Sequence, residues 1–89
     1  MINIIWEESF TKKIKKLIKN QPDLNERIFD KIRLFSENQF EPSLKTHKLS
    51  GTLSNYWAFS IDYYYRIVFR FGKNNQVFFI SIGSHDEVY

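Results

Sequence analysis

The apolar residues of this chain keep a helical spacing from residue 10 to 35 and lose it past residue 40, and that change limits the folds open to it. In "EESFTKKIKKLIKN", Phe10, Ile14, Leu17 and Ile18 fall at i, i+4, i+7 and i+8, one face of an α-helix. Glu7 and Glu8 open this segment and lysines close it, as the helix dipole favours. "NQPD" interrupts the pattern. Pro22 suits the start of a second helix with Asp23 in its first turn, and Leu24, Ile28, Ile32 and Phe35 form a second stripe ending near Asn38. Past residue 40 the runs shorten. "YWAFSI" (56–61), "YRIVFRF" (65–71) and "VFFISI" (77–82) read as strands, joined by "DYY" and by "GKNNQ", whose Gly72, Asn74 and Asn75 are turn residues. The apolar "INIIW" predicts a first strand over 2–6. The intervening "FEPSLKTHKLSGTLSN" is polar, holds Pro42 and Gly51, and includes a short extended piece around 44–49. The order β-α-α-β-β-β predicts an α+β fold, a two-helix hairpin on one face of a mostly antiparallel four-stranded sheet, as a single domain over 1–89.

The chain has no cysteine, which removes disulfides, thiolate chemistry and Cys-based zinc sites. The fold must stand on its apolar core, and 18% aromatic residues make a small core feasible. The same rings can stack on RNA bases. No apolar run reaches the ~20 residues of a membrane span. "MINIIWEESF" has no basic region ahead of its apolar residues, so no signal peptide is expected and a cytoplasmic location is. The net charge of +3 favours anionic partners such as nucleic acid or an acidic protein segment. Lys12, Lys13, Lys15, Lys16 and Lys19 suit either the wet face of the first helix or contact with RNA phosphates.

Three stretches put polar side chains beside apolar strands. They are "LKTHKLSG" with Lys45, His47 and Lys48, "YYYRIVF" with Arg66, and "GSHDEVY" with His85, Asp86, Glu87 and Tyr89. In a meander such segments can converge on one sheet face. Alternation puts Arg66, Val68 and Arg70 on one face and Ile67, Phe69 and Phe71 on the other, against the helices. Arg66 then points to the open face. There it either grips a phosphate through two parallel hydrogen bonds or pairs with Asp62 or Glu87. His47 and His85 are the only histidines, the residue type best suited to general acid–base catalysis near neutral pH. The set lacks a metal-ligand spacing such as HExxH, and three glycines cannot build a phosphate loop. No serine sits in a GxSxG context.

The order of elements, the "I-W" first strand, "LKTHKLSG", "YYYRIVFRF" and the closing "IGSHDEVY" together resemble the RelE/ParE superfamily of type II toxin–antitoxin toxins over nearly the whole chain. The H-x-L-x-G and G-[ST]-H pieces resemble its YafQ- and YoeB-like RNase branches. That resemblance implies a ribosome-dependent, metal-independent mRNA endonuclease, neutralised by a cognate antitoxin protein and using no cofactor. It implies His85 as the acid, Arg66 as the phosphate-stabilising cation and His47 as a candidate base. Lys45 and Lys48 would support phosphate binding. Glu41 resembles the YoeB-like carboxylate, at a spacing one residue longer, and Tyr89 would stack on or hydrogen-bond a base. The chain departs from the YafQ-like pattern at Ser60 and Tyr64, where that pattern has a histidine and an aspartate. It departs from the YoeB-like one at Asp86, which follows the final histidine. The same fold also carries two other readings: a gyrase-directed ParE-like toxin, and a non-catalytic RNA- or protein-binding domain.

Overall fold

The computed structural model describes residues 2–88. Strand β1 (Asn3–Trp6) leads into helices α1 (Glu8–Asn20) and α2 (Leu24–Glu37). A one-turn 3-10 helix (Pro42–Leu44) precedes the short strand β2 (His47–Lys48), and a second 3-10 turn (Gly51–Leu53) precedes β3 (Trp57–Ser60). Strands β4 (Tyr65–Phe71) and β5 (Gln76–Ser84) complete the meander, and a last helical turn, α3, covers His85–Val88. The sheet order is β1-β5-β4-β3-β2, with β1 parallel to β5 and all other pairs antiparallel. The expected four strands are thus five. The extended piece predicted around 44–49 narrows to two residues that pair with Ala58 and Trp57 as an edge strand.

Both helical stripes face the sheet. Phe10, Ile14, Leu24, Ile28 and Phe35 are buried, and Leu17, Ile18 and Ile32 pack at the margin. Phe35 lies at the centre. It stacks on Phe59 at 4.4 Å and meets Phe69 and Phe79 edge-on at 4.8 and 5.6 Å. Ile67 and Phe69 face the helices as alternation requires. Phe71, expected beside them, is 41% exposed and instead closes a rim cluster with Trp57 and Phe40. The opposite sheet face is not bare. Leu49, Ala58 and Val68 form a second small cluster there with Tyr56, because the chain after β2 folds back over it. A bulge between Val68 and Phe69 inserts Ile80, whose carbonyl accepts a hydrogen bond from Ser9 of α1 at 2.8 Å.

Two turns set the register of the meander. In the β4–β5 connection Asn74 and Asn75 both take positive φ (54° and 62°), as a tight hairpin turn matched to strand twist requires. The β3–β4 turn is built by one side chain. Asp62 Oδ1 accepts from the backbone N–H groups of Tyr64 and Tyr65 at 2.8 and 2.7 Å, and Oδ2 accepts from Arg27 of α2 at 2.9 Å. Burial by itself would raise the Asp62 pKa. The N–H groups of Tyr65 and Tyr64 and the Arg27 guanidinium outweigh it and hold the carboxyl below its ordinary value.

Phe35→Ala should lower unfolding stability by about 3–5 kcal/mol in denaturant melts, because three rings lose their common partner. Asp62→Ala should lower it by about 1–3 kcal/mol, since two turn N–H groups lose their acceptor. The folded-state pKa of Asp62 is depressed, so its contribution is fully present above the unfolded value near 3.8 and is lost as pH falls through the lower folded value. The stability gap between the parent and Asp62→Asn should therefore shrink between neutral and strongly acid pH.

Candidate active site

Strand register brings the separated polar segments together. Arg66 of β4 pairs with Ser60 of β3 on one side and Gly83 of β5 on the other. His47 pairs with Ala58, two residues before Ser60, so its side chain shares their sheet face. His85 follows β5 directly, and its N–H donates to Tyr64 O at 2.9 Å. Lys45, His47, Ser60, Arg66 and His85 line an open basin of about 470 Å³. No carboxylate is among these lining residues.

Each of these side chains is oriented by backbone. Lys45 caps the first 3-10 turn in the left-handed region, with φ 52°. Its carbonyl lies 2.9 Å from His47 Nδ1. A carbonyl only accepts, so the proton of the neutral imidazole sits on Nδ1 and the lone pair on Nε2. Arg66 Nη1 donates to the carbonyls of Asp62, Tyr63 and Tyr65 at 2.7, 3.1 and 3.2 Å. Neither carboxylate expected as its partner is used that way. Asp62 goes to the turn N–H groups and Arg27, and Glu87 goes to Ser84. Among the described residues no carboxylate makes an ion pair with Arg66. The guanidinium therefore meets the basin as an uncompensated, half-buried cation.

The acidic residues after His85 have a local role. The Ser84 N–H donates to Glu87 Oε1 at 2.9 Å, and the Glu87 N–H donates to Ser84 Oγ at 3.3 Å. This reciprocal pair is a capping box, and it starts α3 with His85 as its first residue. The Ser84 N–H and then its hydroxyl hold the Glu87 carboxyl below its ordinary pKa, with Lys13 adding a little. A Cβ on Gly83 would come within 3.2 Å of Glu87 Cβ, so glycine lets the turn close onto the strand. Asp86 is fully exposed, 3.8 Å from His85 Nδ1.

Other expected residues lie elsewhere. Glu41 caps the 3-10 turn, accepting from the N–H of Ser43 at 2.8 Å and from its hydroxyl, and does not line the basin. Lys48 pairs with Trp57, one step of alternation from His47, and lines a neighbouring hollow of about 250 Å³ that His47 also borders, not the basin. Tyr89 falls outside the described residues. Two residues take roles that were not anticipated. Ser60, in sequence only a departure from the YafQ-like pattern, is 7% exposed, and among the described residues its hydroxyl has no hydrogen-bond partner. Asp62 builds the turn that carries Arg66, and the acid opening "DYYY" was the available signal. Among the described residues no three His, Asp or Glu side chains cluster as metal ligands would.

None of the curated proteins compared matches this sequence. Solved structures do match its fold. YafQ from E. coli strain BL21(DE3) superposes with a TM-score of 0.81 at 16% identity, covering 100% of this chain and 99% of that one. A chain of the E. coli DinJ-YafQ complex gives 0.79 at 18%, with coverage of 100% and 99%. The YoeB/ParE toxin from Agrobacterium tumefaciens gives 0.78 at 24%, with coverage of 94% and 99%. The sequence itself matches the family described as "Bacterial toxin of type II toxin-antitoxin system, YafQ" over residues 2–89. With nearly its whole length inside that match, the chain belongs to the YafQ family of type II toxin–antitoxin toxins.

Proposed function

We propose that this toxin is an endoribonuclease that cuts mRNA on the ribosome in the cytoplasm and so stops translation. The observation that carries the reading is the convergence of His47, Arg66 and His85, from three separate segments, on one basin with Lys45. Transfer of a phosphate to the neighbouring ribose 2′-oxygen needs a base at that oxygen, positive charge on the phosphate, and an acid at the leaving 5′-oxygen. His47, with its lone pair on Nε2, takes the 2′-hydroxyl proton. Arg66 and Lys45 bind the phosphate as negative charge builds on it. Protonated His85 gives its proton to the departing oxygen, leaving a cyclic phosphate and a 5′-hydroxyl. Glu41 is already occupied as a cap, which favours His47 as the base. These side chains supply both proton transfers and the charge stabilisation, so the step is written without a metal.

The E. coli YafQ likeness in a DinJ-YafQ complex supports an antitoxin partner for this chain. A cationic basin with no carboxylate among its described lining residues suits an acidic, partly disordered segment that folds on binding. An antitoxin carboxylate on Arg66 would neutralise the site directly.

Brief induction in cells, followed by primer extension on mRNA, tests the reading. The parent should give cuts at codon-phased positions. His85→Ala should reduce cutting about 10²–10⁴-fold, and Arg66→Ala about 10²–10³-fold, with both variants still folded. Cuts that persist in His85→Ala would move the acid elsewhere. Growth arrest without cuts would overturn the nuclease in favour of a gyrase-directed toxin, and neither arrest nor cuts would leave a binding protein.

A further inference from the structure

A second hollow, of about 230 Å³, adjoins the basin. It shares Lys45, Ser60 and Arg66 with the basin and continues over the β3–β4 turn to Lys31 of α2, Ser43 and Tyr63. We infer that this hollow is a nucleotide subsite of the nuclease, with Tyr63 stacking on the base next to the cleavage point and Lys31 and Lys45 holding its phosphate. The inference rests on the nuclease reading above.

The charge in the hollow is positive. Lys31, Lys45 and Arg66 line it against one carboxylate, Asp62, whose oxygens are already taken by Tyr64, Tyr65 and Arg27. Among the described residues Lys31 makes no ion pair. Tyr63 stands at the tip of the turn with 93% of its surface exposed. Its carbonyl accepts from Arg66, so the backbone that carries the ring is tied to the same cation that faces the basin. The Ser60 hydroxyl, buried and without a hydrogen-bond partner among the described residues, belongs to the lining of both hollows. Cations along a groove with an aromatic ring at its side are what a single strand requires, since every base offers a face to stack and every linkage a charge. An acidic peptide would use the lysines but gains less from an exposed ring beside them.

The test is fluorescence anisotropy with a labelled short single-stranded 2′-O-methyl RNA, which this chemistry cannot cut, over a salt series. Tyr63→Ala should weaken binding about 5- to 150-fold, the range of a lost base–aromatic stack, while Tyr63→Phe binds like the parent. Lys31→Ala should reduce the slope of log affinity against log salt by about 0.7, one phosphate contact on a single strand. Circular dichroism checks that the variants fold. Parent-like binding by both Tyr63→Ala and Lys31→Ala, or no RNA binding by the parent, overturns the subsite. The primer-extension assay separates the two readings. A parent that cuts mRNA while both variants bind as it does loses only the subsite. A parent that cuts nothing, with both variants weakened, loses the nuclease and keeps the RNA site.

Discussion

The Asp62 carboxylate ties the turn that carries the site to the helical layer. One oxygen folds the β3–β4 turn by accepting from the N–H groups of Tyr64 and Tyr65, and the other ties that turn to Arg27 of α2. The carbonyls of the folded turn then point at the Arg66 guanidinium, and Tyr64 O takes the N–H of His85. The side chains of Arg66 and His85 thus have their positions set by one bend. A charged acceptor suits the role, because hydrogen bonds to ionised groups are stronger than neutral ones and this carboxyl stays ionised well into the acid range.

The rest of the fold keeps that bend rigid. Aromatic rings from both helices and three strands interlock behind it, from Trp6 through Phe10 and Phe79 to Phe35 and Phe59. The chain has no cysteine, so this packing substitutes for cross-links. On the far face the fold-back that covers Leu49, Ala58 and Val68 also sets the edge strand carrying His47. The basin is therefore rimmed by elements buried for apolar reasons, and its polar groups are the parts of those elements left facing solvent.

The tail shows how one stretch can serve folding and chemistry together. Glu87 and Ser84 satisfy each other's backbone N–H groups, which turns the chain sharply after β5 and leaves His85 at the rim. Capping also draws the Glu87 carboxylate away from the basin, where its charge would oppose an anionic ligand. Asp86, fully exposed, stays beside the imidazole, 3.8 Å from His85 Nδ1.

The amino-acid sequence by itself determined the element order, the two helical stripes, the long β4 segment and the residue types on offer to a phosphate. Those follow from periodicity and side-chain chemistry, which are local. The fifth strand, the parallel pairing of β1 with β5, the exposed position of Phe71 and the second small core were decided by tertiary packing. A two-residue strand has no period of its own and exists only because Ala58 and Trp57 lie beside it. The site divides the same way. His47, Arg66, His85 and Lys45 were legible as candidates, but their meeting depends on strand register, which no local pattern encodes. Glu41 and Lys48 looked equivalent to them in sequence and were separated by a cap and by one step of strand alternation. The roles of Ser60 and Asp62 became visible only with the fold, because a buried hydroxyl and a turn-building carboxylate are defined by what surrounds them.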